Sequence, residues 1–261
     1  MTAARLIWFA FRNIFVDFGQ TIRIFALPAL LLALIGAAIF WVTVSTPRIQ
    51  ETLIIIPVLL AVAFCALWPT INFHRHVLLG ERFGWLPRIW WREMLGYGVM
   101  MIPLGLLTIA LSFLLMAAAS QIVAMTMGQV PPIMAFVVTG LLAGTLVTAV
   151  GLRLLSLLPG LAIGASLTGY SPGARRSLPT ILMIALLLCL ANVGYALAQV
   201  ALMPRLYVAL QTGITAVFAV QLLIDALSLV FGISLLTVLY ARYVQGRTDL
   251  LPVSGRIPPG I

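Results

Sequence analysis

Six apolar runs, at 22–44, 52–73, 95–120, 133–152, 181–203 and 214–240, are each long enough to cross a bilayer, since a hydrocarbon core of about 30 Å takes roughly 20 helical residues at 1.5 Å each. A chain with six of them has no soluble fold that would bury them all. Its composition, 63% hydrophobic and 8% charged, agrees, because soluble domains carry roughly 25% charged residues. In lipid a backbone must satisfy its own polar groups, so each run is read as a helix. The predicted fold class is all-α integral membrane: a six-helix transmembrane bundle at 22–243, an amphipathic N-terminal interfacial segment at 1–21 and a C-terminal tail at 244–261. The first run exceeds the roughly 7 to 15 residues of a signal-peptide core and is read as a retained span.

Orientation follows from arginine, which supplies all fifteen basic residues. With the amino terminus inside, thirteen arginines fall in the cytoplasm and only Arg48 and Arg205 outside. This bias predicts a multi-pass protein of the cell inner membrane with both termini cytoplasmic. The same face holds only four acidic residues, Asp17, Glu81, Glu93 and Asp249. Its expected partners are anionic lipids, which guanidinium binds bidentately through phosphate, and another membrane protein. Nucleic acid is not expected, because the arginines flank apolar spans and no soluble module carries them.

The richest cytoplasmic stretch, 72–93, holds both histidines, four arginines and three of the six tryptophans. Headgroup candidates are Arg75, Arg82, Arg88, Arg92, Arg153, Arg175 and Arg176, and interface anchors are Trp8, Trp85, Trp90 and Trp91. Ahead of the first span, Arg5, Arg12, Asn13, Asp17 and Gln20 share one side of a helical wheel, while Trp8, Phe11, Phe15 and Phe18 share the other, the pattern of a helix lying in the interface. After Arg153, residues 154–168 are apolar but too short to cross again, and Pro159 with Gly160 ends or bends them. A slanted extension of the fourth span is expected over a re-entrant segment.

Two segments, FHRHVLLGE at 73–81 and RLLSLLPGLAIG at 153–164 followed by SPGARRSLP at 171–179, resemble recurring segments of bacterial multi-pass membrane proteins of undefined role. These are similar in pattern to the membrane domain attached to some glycerophosphodiester phosphodiesterases. The resemblance spans 73–190 and implies an inner-membrane helical bundle. It carries no catalytic residue over, because phosphodiesterase chemistry in such fusions belongs to a separate soluble domain. Ala165 and Ser166 stand where the family habit is an acidic residue.

Motif chemistry is sparse, and no cofactor, metal or catalytic residue is predicted. His74 and His76 lie two apart, about 200° around a helix, and cannot share an ion there; they are read as interfacial, binding headgroups or capping carbonyls. Glu81 and Glu93 are expected to pair with nearby arginines. Gly164, Ser166 and Thr168 lack the last glycine of a nucleophile elbow and the strand before it. Cys65 and Cys189 sit inside apolar runs as small hydrophobes. Gly140, Gly144 and Thr148 form a small-residue ridge suited to internal packing. The polar exception is mid-membrane: Gln221, Asp225 and Ser228 share a face of the sixth helix, and Asn192, Tyr195 and Gln199 share one of the fifth. Depth at 1.5 Å per residue predicts that Asn192 meets Asp225 and Gln199 meets Gln221. The leading functional expectation is a non-enzymatic protein that binds or organises anionic lipid or partner proteins through its Arg/Trp-rich face. The alternative is a small proton-coupled transporter using Asp225.

Overall fold

A computed structural model of the chain describes residues 2–45, 51–126, 132–165, 177–210 and 213–247. No strand occurs among them. The helices are α1 (Ala3–Val16), α2 (Phe18–Ser45), α3 (Glu51–Leu79), α4 (Trp91–Thr126), α5 (Pro132–Leu155), α6 (Leu158–Ala162), α7 (Leu178–Leu210) and α8 (Gly213–Tyr243). Six apolar helical segments are long enough to cross a membrane: Phe18–Ile39, Ile56–Leu79, Trp91–Ile122, Val138–Ala162, Leu178–Gln199 and Leu223–Tyr243. The chain is an all-α six-helix membrane bundle.

Neighbours are set by packing more than by chain order. Helix α2 lies on α3, α4 on α5, and α5 on α7, whereas α8 packs chiefly on α1 and α3 and only sparsely on α7, its predecessor in the chain. The small-residue ridge explains the α5–α7 choice. A Cβ on Gly144 would stand 3.5 Å from Cys189 Sγ, and Thr148 Oγ1 lies 3.5 Å from the same sulfur, so the backbones approach closely, as small residues allow in lipid.

Burial is lopsided. The core clusters all lie toward the arginine-rich end, where Leu6, Ile184, Leu235 and Leu239 form one, Ile24, Phe73 and Ile233 a second, and Trp68, Ile71, Met94 and Leu158 a third. Toward the other end Leu34, Leu59, Ile102, Phe113 and Leu142 are exposed. Lipid solvates such side chains as well as protein does, so hydrophobicity alone does not draw the far halves together.

Helix α1 carries three stripes where the wheel predicted two. Ala3, Leu6, Ala10, Asn13 and Ile14 are buried, and Ser234 on α8 donates its hydroxyl to the Ala10 carbonyl at 2.7 Å. The ring of Phe11 lies tilted 5.2 Å from Phe15, which stacks on Phe18 at 5.9 Å, and this exposed aromatic ladder also touches Phe231. Arg5 and Arg12 form the third, exposed stripe. Asn13 and Gln20 are therefore not headgroup-facing. Asn13 is wholly buried, and Gln20 Oε1 accepts the Phe83 N–H at 2.9 Å.

The segment after Arg153 carries the fourth span on to Ala162 through a break in the helix, and residues 166–168 lie outside the described residues. Pro159 has no N–H for the Leu155 carbonyl, which ends α5 there, and the chain re-forms as α6, with Leu158, Pro159, Gly160 and Ala162 buried against α3, α4 and α8. A positive φ of 75° at Gly164 closes α6, with Gly164 N–H donating to Leu161 O and Ala165 N–H to Gly160 O, the bond pair of a glycine C-cap. Gly160 is tight, since a Cβ there would stand 3.0 Å from the Tyr240 ring.

Candidate lipid-binding face at the arginine-rich end

The stretch 72–93 divides into the last turns of α3, a short connection and the start of α4. Arg75, expected at the headgroups, is instead buried and fully engaged. Its Nε donates to Glu81 Oε2 at 2.8 Å and its Nη2 to Glu81 Oε1, a two-pronged ion pair. Its Nη1 donates to the Ala162 carbonyl of α6 at 3.2 Å, and its guanidinium lies 3.7 Å from the centre of the Trp90 ring. One side chain thus ties α3, the connection, α4's approach and α6. The pairing of Glu81 agrees with expectation. Glu93 makes no ion pair among the described residues; it sits in the first turn of α4, where a carboxylate offsets the positive end of the helix dipole.

Trp90, expected as an interface anchor, is half-buried, and Arg88 covers it too, 4.3 Å from the ring centre. The indole is held between two guanidiniums, an arrangement favoured by its electron-rich faces. Trp8, Trp85 and Trp91 are exposed as expected, at 61%, 69% and 60%. Leu86 at 77% stands beside Trp85, and Arg23 lies 5.7 Å from the centre of the Trp85 ring. The main-chain carbonyl of Arg88 accepts from Trp68 Nε1 at 3.3 Å and from Asn72 Nδ2 at 3.1 Å, so its side chain leaves from a fixed point. Arg82 and Arg92 are exposed, with no hydrogen bond or ion pair among the described residues. Arg153 is half-buried at the end of α5, and Arg175 and Arg176 lie outside the described residues.

The histidines do not reach headgroups. His74 is wholly buried, with Nδ1 at 2.8 Å from Thr237 Oγ1 on α8 and Nε2 at 3.2 Å from Tyr97 Oη on α4, a three-helix tie. His76 Nδ1 donates to the Glu81 carbonyl at 2.8 Å, as a carbonyl cap would, while its Nε2 stands 3.8 Å from Asp17 Oδ2, beyond hydrogen-bonding reach. Sequence reasoning missed Thr237 and Tyr97, which lie 163 and 23 residues from His74 with no local pattern linking them.

Between α7 and α8 one of the two polar matches is present. Gln199 Nε2 donates to Gln221 Oε1, as does Tyr195 Oη at 2.8 Å, and Gln199 also donates to Tyr195 Oη at 2.6 Å. These groups clasp α7 to α8. The other match fails: Asn192 and Asp225 are both exposed, no hydrogen bond joins them, and Asp225 Oδ1 accepts instead from Gln221 Nε2 on its own helix at 3.0 Å. A charged residue at mid-bilayer costs about 2.5 to 3.5 kcal/mol on insertion scales. The clasp is open to measurement. A Tyr195→Phe, Gln221→Leu double-mutant cycle on unfolding in detergent is expected to give a coupling of about 0.6 kcal/mol, at most roughly 1.7. A coupling of zero would mean that the helices are not joined there.

These features define a class: an all-α, six-span, multi-pass membrane protein whose arginine-rich end is internally braced and edged with exposed indoles. No family model, curated protein or solved structure matches the chain.

Proposed function

We propose that this is a non-enzymatic inner-membrane protein that binds or organises anionic lipid, or a membrane-protein partner, through its Arg/Trp-rich face, with both termini cytoplasmic. The observation that carries the reading is the division of labour among the arginines. Arg75 is spent on bracing, with Arg88 beside it on Trp90, while Arg82 and Arg92 are exposed and have no ion pair among the described residues, in the same stretch as exposed Trp85, Leu86 and Trp91. Arg92 even stands in the first turn of α4, where a cation opposes the helix dipole, so local structure gives no reason for it. Phosphate above an indole belt supplies one. The aromatic ladder of α1 continues that belt, with Arg5 and Arg12 beside it. The resemblance of 73–81 and 153–164 to bacterial multi-pass proteins fits the same placement.

Each basic residue near an anionic surface is worth about 1 kcal/mol. Replacing Arg82 and Arg92 by Gln is therefore expected to weaken phosphatidylglycerol retention by roughly 30-fold in native mass spectrometry, since 1.4 kcal/mol is a factor of ten. Phosphatidylcholine retention should not change, and added salt should shrink the difference. Equal retention of both lipids by the parent protein, unaltered in the double variant, would refute the reading.

A further inference from the structure

One side chain near the end of α3 has a polar atom to spare. His76 is 3% exposed, and its Nε2 is buried with no hydrogen-bond partner among the described residues. The other ring nitrogen fixes what that atom is. A carbonyl can only accept, so the 2.8 Å bond to the Glu81 oxygen places the proton of the neutral ring on Nδ1 and leaves Nε2 a bare acceptor. A buried acceptor without a donor costs free energy.

The nearest carboxylate to Nε2 is a second acceptor, Asp17 Oδ2 at 3.8 Å. Asp17 is the single residue between α1 and α2, and its other oxygen is tied down, since Oδ1 receives the Gln20 N–H at 3.4 Å in the first turn of α2. The helix dipole favours a carboxylate there. Two anchored acceptors thus stand side by side, and one added proton converts their repulsion into a charge-assisted hydrogen bond. Such bonds run about 2.7 to 2.9 Å, so closure takes a shift of about 1 Å. Asp17, 30% exposed, gives the proton its way in.

The other ionisable groups on the elements around His76 are engaged elsewhere or exposed. On α3 and the connection, Arg75 pairs with Glu81, His74 is bonded at both nitrogens and Arg82 is exposed. On α1 and α2, Arg5 and Arg12 are exposed and Arg23 lies by Trp85. On α4, Arg92 is exposed, Glu93 sits in the first turn and Tyr97 is bonded to His74; α6 has no ionisable residue. On α8, Tyr240 lies against Gly160 and Tyr243 bonds Thr180, while Arg242 donates to the Arg247 carbonyl and Arg247 to that of Leu78. Asp17 is the only carboxylate within 4.0 Å of the ring nitrogens among the described residues.

We propose that His76 and Asp17 form a proton-operated latch. When Nε2 takes a proton from the aqueous side, the imidazolium bonds Asp17 and holds the α1–α2 corner on α3; when the proton leaves, that tie is released. Histidine is the side chain whose ordinary charge change falls between about pH 5 and 8. The bond exists only in the folded, protonated chain, so its stabilisation is present at acid pH and is lost as pH rises through that range. Through the Glu81 carbonyl the same ring reaches the segment that Arg75 braces. The latch stands whether or not the arginine-rich face binds lipid.

The test uses the full chain in phosphatidylcholine nanodiscs and reads thermal midpoints by tryptophan fluorescence at about pH 8 and about pH 5.5. Asp17→Asn keeps a capping side chain for α2 but not the charge. Measured against this variant, the parent should gain roughly 3 °C or more on acidification, since about 1 kcal/mol moves a chain of this size by about 2 to 4 °C. His76→Asn, whose amide can still donate to the Glu81 carbonyl, should abolish that gain, and adding Asp17→Asn to it should change nothing with pH. A difference equal at both pH values, or one that persists in the His76→Asn background, would overturn the latch. Nitrogen NMR of the parent, isotopically labelled at its two histidines, reads the proton itself. One ring should gain a second proton between the two pH values, and His76→Asn should remove that change. No ring changing, or a change that survives His76→Asn, would equally overturn it.

Discussion

Replacing Arg75 by methionine is expected to lower unfolding stability by about 2 to 3 kcal/mol, less than the roughly 3 to 5 kcal/mol for removing one partner of a fully buried ion pair, because the Glu81 side chain stays 30% exposed. The magnitude follows from what is left behind. Glu81 loses both prongs of its pair, the Ala162 carbonyl loses its donor, and Trp90 loses one of its two guanidiniums. The aliphatic stem of methionine restores some contact with the indole but none of the polar bonds. Thermal unfolding in one detergent, monitored by tryptophan fluorescence, measures the loss. Adding Glu81→Gln should recover part of it, because the stranded charge is then gone, and this separates an electrostatic brace from simple loss of packing. A fall below about 1 kcal/mol for Arg75→Met would mean that the pair behaves as an ordinary surface salt bridge.

The second large effect belongs to α6. Leu158→Ala is expected to cost about 2 to 5 kcal/mol, the span for truncating a buried leucine where the surroundings cannot collapse. Leu158 is wholly buried against Trp68, Ile71, Met94 and Tyr97, and Tyr97 is also bonded to His74, so relaxation into the cavity is restricted. Leu60→Ala is the comparison, since Leu60 is 67% exposed in the apolar belt of α3 and a surface change is usually within about 0.5 kcal/mol. Similar midpoints for the two variants would show that α6 is not seated as described. The effect should also appear near Arg75, because α6 supplies the carbonyl it holds.

Some of the site was legible because it depends on short separations or on depth. Glu81 pairs with Arg75 six residues away. Gln199 meets Gln221 because residue count converts directly to height in a helix crossing a slab. The same ruler failed at Asn192 and Asp225, since equal height does not imply contact. Whether two helices touch at a given level depends on their tilt, and α7 is drawn to α5 by the close approach at Gly144 and Cys189 while α8 is drawn to α1 and α3. Arg75 misled for a related reason. An arginine near a helix end normally reaches headgroups, and only the packing of α6 against α3 supplies the carbonyl that helps keep it inside.

The spans, their number and the placement of arginine and tryptophan at one end were determined by the sequence by itself. Each depends on a local quantity: about 20 apolar residues per 30 Å of hydrocarbon, and charged groups excluded from it. Tertiary structure alone decided which arginines are braces and which are exposed, that α1 buries Asn13 and displays its phenylalanines, that α6 packs against α3, α4 and α8, and that Asp225 bonds Gln221 and not Asn192. In lipid the apolar surface of a helix gains little by choosing one neighbour over another. The choice falls to small-residue contacts and a few hydrogen bonds between residues as far apart as His74 and Thr237, which no local pattern in the chain encodes.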